Sequence, residues 1–213
     1  MKRLTTAALA GVLLAGGLAA VAQPTQAAPA STGAPQAAAV SEAAVTRAAG
    51  STSTYYFLFD KNQSSPTKSK LYFMKSVPGK DKVIKSYRAG SGNGSKNECA
   101  TMKGWLPNGS YKVLGHEKRK KGGARGINGY AIHVQDKLCK NGKTKRTELF
   151  IHSEMKSNGQ QGPKQPGKDS PYRWDGAGDY YSYGCIKITP KDIQDLFRTA
   201  DRYGWPKQLK VVN

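Results

Sequence analysis

Downstream of residue 54 only one stretch of this chain can hold a helical period, and that limits the fold more than any other feature. Ile193, Leu196, Phe197 and Ala200 recur at i, i+3, i+4 and i+7, so a helix here presents a single apolar face. Thr189 is placed to cap it, Pro190 suits the first helical position, and Asp192 supplies a capping-box-like partner. Gly204 and Pro206 end it. The other apolar runs are short and rich in aromatic or β-branched residues, at 55–59, 71–74, 83–87, 111–114, 130–134, 148–152 and 208–212. Turn-forming clusters punctuate them at 62–66, 78–81 and 107–109. The Gly-rich stretch 89–95 reads as a flexible loop. Residues 155–180 show no usable period, and a loop of that length in a compact domain is usually functional or mobile. The pattern predicts a mainly β domain with one packed helix.

The N-terminal part is of another kind. Lys2 and Arg3 precede an uncharged, alanine-rich apolar stretch, and small residues at 27–30 offer cleavage sites, so residues 1–30 are expected to be a secretory signal peptide. The stretch is too short and alanine-rich for a membrane span. Residues 31–54 are Ala, Ser, Thr, Gly and Pro with almost no large apolar side chain, which predicts a disordered linker. Residues 55–213 then suit one domain. Removing Lys2 and Arg3 from the 34 basic residues leaves 32 against 14 acidic ones, a charge of +18. An exported, cell-wall or extracellular chain of that charge is expected to adhere to teichoic acids or other wall polyanions. Nucleic acid is excluded as a partner by the export signal and by the lack of any nucleic-acid-binding motif. The basic stretch 118–125 (KRKKGGAR) is either an electrostatic clamp or a solvated loop.

Three cysteines leave one thiol over. Cys99 and Cys139 sit in polar, loop-like surroundings and form the natural disulfide pair in an oxidising compartment. Cys185 lies instead between Gly184 and an apolar run. A thiol becomes nucleophilic near an imidazole, a helix N-terminus or a cation. Cys185 has a helix just after it, Lys187 two residues on, and three histidines as potential bases. His116 borders the basic stretch and His133 lies mid-strand. His152 ends an apolar strand and opens into the long loop, the stronger position for a base. Gly184 permits a tight turn that exposes the sulfur and frees backbone N–H groups for an oxyanion. Papain-like order (Cys before His) is absent, as are the sortase signature and any HExxH or paired His/Asp cluster. No metal or other cofactor is expected.

The segment from Ile151-His152-Ser153 to Ser182-Tyr183-Gly184-Cys185-Ile186-Lys187 resembles the signature of the YkuD-type L,D-transpeptidase family. That signature is His, a spacer, then Ser/Thr-His-Gly-Cys, an apolar residue and usually Arg or Asn. Gly90-Ser91-Gly92, Thr101 and 106–111 (LPNGSY) are similar to the family's run from a Gly-rich strand end into a Pro-x-Gly-x-Tyr strand. Tyr183 stands in place of the family's second His, Lys187 in place of Arg, and the spacer to Ser182 holds 29 residues. The resemblance implies a β-sandwich or barrel with one helix packed after the catalytic Cys. It implies Cys185 as nucleophile, His152 as base and Ser153 as its orienting partner. Gly184 and Tyr183 would lie at the oxyanion site, with Ser182 and Lys187 shaping substrate binding. The implied reaction removes the terminal D-Ala of a peptidoglycan stem tetrapeptide and joins the acyl group to a neighbouring stem amine. The rivals are a non-catalytic basic wall-binding protein and a secreted stem-trimming carboxypeptidase. A monomer is expected.

Overall fold

The computed structural model describes residues 54–213; the expected signal peptide and nearly all of the linker lie outside them. The strands are β1 (Tyr55–Asp60), β2 (Ser69–Lys75), β3 (Lys82–Ser91), β4 (Gly109–Lys121), β5 (Asn128–Val134), β6 (Lys137–Leu138), β7 (Lys145–Arg146), β8 (Leu149–His152), β9 (Ile186–Lys187) and β10 (Gln208–Val212). The one α-helix, α1, spans Pro190–Tyr203. Eight strands close a barrel in the order β1-β10-β4-β5-β8-β9-β3-β2, while β6 and β7 form a separate short hairpin. Pairing is antiparallel except at β1–β10 and β8–β9.

Alternation along the strands builds the core. Phe57 and Phe59, Leu71 and Phe73, Ile132 and Val134, Leu149 and Ile151, and Leu209 and Val211 point inward and are buried together. Each such side chain contributes about 1.5–3 kcal/mol by leaving water. The helix forms as its pattern predicts: the Thr189 hydroxyl accepts the Asp192 N–H at 3.2 Å, and Ile193, Leu196, Phe197 and Ala200 are buried. The Phe197 ring meets Tyr130 and Trp205 edge-on at 4.8 and 4.9 Å.

Two loops of the sequence reading are strands in their first part. The Gly-rich stretch begins inside β3, which runs on to Ser91 because Gly90 and Ser91 pair with β9. Lys118–Lys121 form the end of β4, paired to β5 up to Lys121↔Asn128. There the basic side chains stand at largely exposed positions, and the Asn128 side chain ties the following turn by bonding Gly123 and Gly126. The Cys99–Cys139 disulfide is formed as expected.

Candidate active site

The register of three strands defines one face outside the barrel. Ile151 and Ile186, side by side on parallel β8 and β9, point into the core. Their neighbours must therefore point the other way. His152 is beside Lys187 on this outer face, and extending the register by one residue sets Cys185 beside Phe150. The nucleophile and base expected from sequence thus share one face, a single diagonal step apart. Across β5, Ala131 lies opposite His152 and His133 opposite Phe150. His133 stacks on the Phe150 ring at 4.5 Å, with β8 between it and Cys185. His116 is stacked on Trp205 at 3.4 Å, against the helix. Of the three imidazoles, His152 is the one placed beside the Cys185 turn.

The His152 Nδ1 lies 3.1 Å from the Ser153 carbonyl oxygen. A carbonyl can only accept, so Nδ1 carries the hydrogen and Nε2 keeps its lone pair. Burial pushes the imidazole down to about 3, and the Lys187 ammonium pushes the same way. Burial also pushes the Cys185 thiol up to about 11, against smaller opposing effects of Phe150, Lys187 and Arg146. The thiol is partly exposed and directs its proton to the Glu148 carbonyl at 3.4 Å, towards the start of β8 rather than to His152. Glu148 itself holds a left-handed backbone with φ 54°, an uncommon state for a side chain with a Cβ. At rest the pair is a neutral thiol and a neutral imidazole.

The turn before Cys185 is held from several sides. The Ser182 hydroxyl donates to the Cys185 carbonyl at 2.6 Å and accepts the N–H groups of Gly92 and Gly184 at 3.0 and 3.1 Å. Ser182 therefore serves as the keystone of the turn. Gly184 has φ 125°, and a Cβ there would lie 2.0 Å from an Arg146 nitrogen, so glycine is required twice over. Buried Ser91 donates to the Gly184 carbonyl at 3.1 Å and accepts the Leu106 N–H at 2.9 Å. Tyr183 is 65 % exposed, with its ring free of the turn it belongs to. Arg146 and Glu148 were missed by sequence reasoning, since no motif marks them; Ser91 was named within the Gly90-Ser91-Gly92 run but given no role.

Lys187 is buried and pairs with the Glu154 carboxylate. Burial raises the Glu154 carboxyl to about 7, although Lys187 opposes the shift. Carboxylate oxygens of Glu154, Asp169 and Asp179 come within 4.8 Å of one another. The Lys187 ammonium supplies a cation to that group, and Asp179 also accepts the Gly176 N–H at 2.8 Å. A cleft of about 630 Å³ opens beside it, lined by Lys164, Lys168, Asp169, Asp175, Asp179 and Tyr181. It lies within the long loop, whose regular structure is one turn at Ala177–Tyr180.

The family model for the L,D-transpeptidase catalytic domain, YkuD, matches residues 54–207. No curated protein matches the chain. Among solved structures, Bd1075 of Bdellovibrio bacteriovorus is 16% identical with a TM-score of 0.45, over 75% of this chain and 48% of that one. A fused Zn-dependent amidase/peptidase/peptidoglycan-binding domain-containing protein of Clostridium acetobutylicum is 13% identical with a TM-score of 0.39, over 75% and 52%. The chain thus spans about half the length of both. The family match covers every barrel strand except β10, together with the His152 and Cys185 face and the helix that follows it, so this chain belongs to the L,D-transpeptidase catalytic domain family.

Proposed function

We propose that the protein is an exported cysteine L,D-transpeptidase acting on peptidoglycan stem peptides. The observation that carries this reading is the shared face of Cys185 and His152, with Nδ1 fixed on the Ser153 carbonyl and Nε2 left as the base. The Cys185 side chain turns from the Glu148 carbonyl towards His152 and passes its proton to Nε2. The sulfur forms a bond to the carbonyl carbon between the third stem residue and the terminal D-Ala. Gly184 N–H is engaged by Ser182, so the backbone N–H groups of Tyr183 and Cys185 hold the oxyanion. Collapse breaks the C–N bond, His152 returns the proton to the leaving D-Ala amine, and a thioester remains. A neighbouring stem amine attacks it, losing its proton to His152, and the Cys185 sulfur leaves to take that proton back. Ser153 orients the base, and Lys187 shapes the donor site through Glu154. The neutral resting pair means that proton transfer waits for substrate to complete the site.

The segment 1–30 acts as the export signal and 31–54 as the tether, and the net charge favours retention on wall polyanions. The test incubates wild-type and Cys185→Ala protein with disaccharide-tetrapeptide and reads products by mass spectrometry. Loss of D-Ala with a cross-linked dimer, absent in the variant, is expected. D-Ala loss without dimer assigns a carboxypeptidase instead. A folded wild type with a free thiol and no product on several stems assigns a wall-binding protein.

A further inference from the structure

Arg146, in β7, is a buried cation with four of its five N–H donors bonded to main-chain carbonyls. Its guanidinium donates to the Glu98 carbonyl, to Trp105 at 3.3 Å, to Gly104 at 3.0 Å and to Tyr183 at 2.9 Å. Three of these belong to the 98–105 loop and the fourth to the nucleophile turn. No carboxylate is paired with it among the described residues; the Glu98 carboxylate goes to Lys61 at 2.7 Å instead. A buried charge is costly to keep, and the four charge-assisted bonds to carbonyls offset part of that cost. What the charge adds is a field at the turn, and Arg146 and Cys185 do interact electrostatically.

The geometry of the peptide planes extends this. In a trans peptide the C=O and the following N–H point in opposite directions. Arg146 draws the Tyr183 carbonyl inward, which sends the Gly184 N–H to Ser182. Ser91 draws the next carbonyl, that of Gly184, inward as well. The Cys185 N–H is thereby aimed away from the interior, to the side where the sulfur stands.

We propose that Arg146 is a positioning residue for the reaction, fixing the Tyr183–Cys185 turn and lending its charge to the Cys185 thiolate. The proposal rests on Cys185 being the nucleophile, and its first readout needs no peptidoglycan. Cys185 alkylation by iodoacetamide is followed against pH in the wild type, Arg146→Gln and Arg146→Lys, with folding checked by circular dichroism. Arg146→Gln is expected to alkylate about threefold to tenfold more slowly at pH 9, its profile displaced to higher pH. Arg146→Lys keeps the charge with a single donor point and is expected to fall between the two. On disaccharide-tetrapeptide, kcat is expected to drop about tenfold to a hundredfold in Arg146→Gln with KM little changed. A folded Arg146→Gln with wild-type alkylation and kcat overturns the proposal. Should Arg146→Gln not fold, Arg146→Lys decides: slower alkylation and lower kcat support the role, and wild-type values overturn it. If no variant, wild type included, acts on stem peptides, the alkylation profiles still judge Arg146 while the transpeptidase reading fails.

Discussion

Burial drives Cys185 and His152 towards neutrality from opposite directions, and that can be read in stability against pH. His152 has a folded value near 3 against an ordinary 6.5, so the unfolded chain takes up a proton that the folded one refuses. Its contribution is complete above about pH 6.5 and is lost as pH falls towards 3, by at most about 1.4 kcal/mol per unit. Glu154, raised from 4.5 to about 7, works the other way: its contribution is complete below 4.5 and lost as pH rises through 7. Between 4.5 and 6.5 the two slopes oppose. Thermal melts of His152→Gln are therefore expected to gain on the wild type as pH drops from 6.5 to 4.5; parallel curves would contradict this. At this scale the proposed nucleophile Cys185, the proposed base His152 and the turn residue Gly184 could be picked out in the sequence because each role demands a residue type. Arg146 was not, because in a chain with 34 basic residues nothing local separates a buried one from a solvated one. Its acceptors lie 37–48 positions away in sequence, and only the fold brings them in.

At the scale of elements, the helix could be read in full since its cap, its first proline, its apolar stripe and its terminating glycine are all local. The ends of β3 and β4 could not, because they are set by partners elsewhere: β9 carries β3 through Gly90, and β5 carries β4 through its lysines. Gly90 also shows how the long loop is fastened. A Cβ there would lie 2.4 Å from the Tyr180 carbonyl oxygen, so β3 admits the Ala177–Tyr180 turn only by lacking a side chain. Gly90→Ala is expected to cost about 1–3 kcal/mol by overpacking and to displace that turn. Hydrogen exchange should show lost protection at 177–182 with β1, β2 and β10 unchanged. Uniform loss throughout the barrel would argue against a local fastening.

For the molecule as a whole, closure depends on β1 meeting β10 in parallel, a pairing between strands separated by nearly the full described length. Short runs announce strands but not their order, so the residue pattern alone supports a mainly β domain, the family resemblance leaves sandwich and barrel open, and the long-range pairing closes the barrel. The disulfide bridges 40 residues and joins the 98–105 loop to the β6–β7 hairpin, the two parts that meet at Arg146. Loop closure of that size contributes about 4 kcal/mol. The double variant Cys99→Ser/Cys139→Ser is expected to lose most of this in denaturant melts, and to alkylate more slowly at Cys185 as the hold on the turn slackens. Unchanged stability would show that the loop is ordered without its cross-link.

The raised thiol has a consequence for how the chain reaches its native pairing. Three cysteines permit three single disulfides, and exchange among them proceeds through thiolates. Burial keeps the native Cys185 predominantly as the neutral thiol at pH 7. Once the barrel has formed, a sulfur held neutral attacks the Cys99–Cys139 bond slowly, so the same burial that the proposed acyl transfer must overcome also slows reshuffling of the oxidised product.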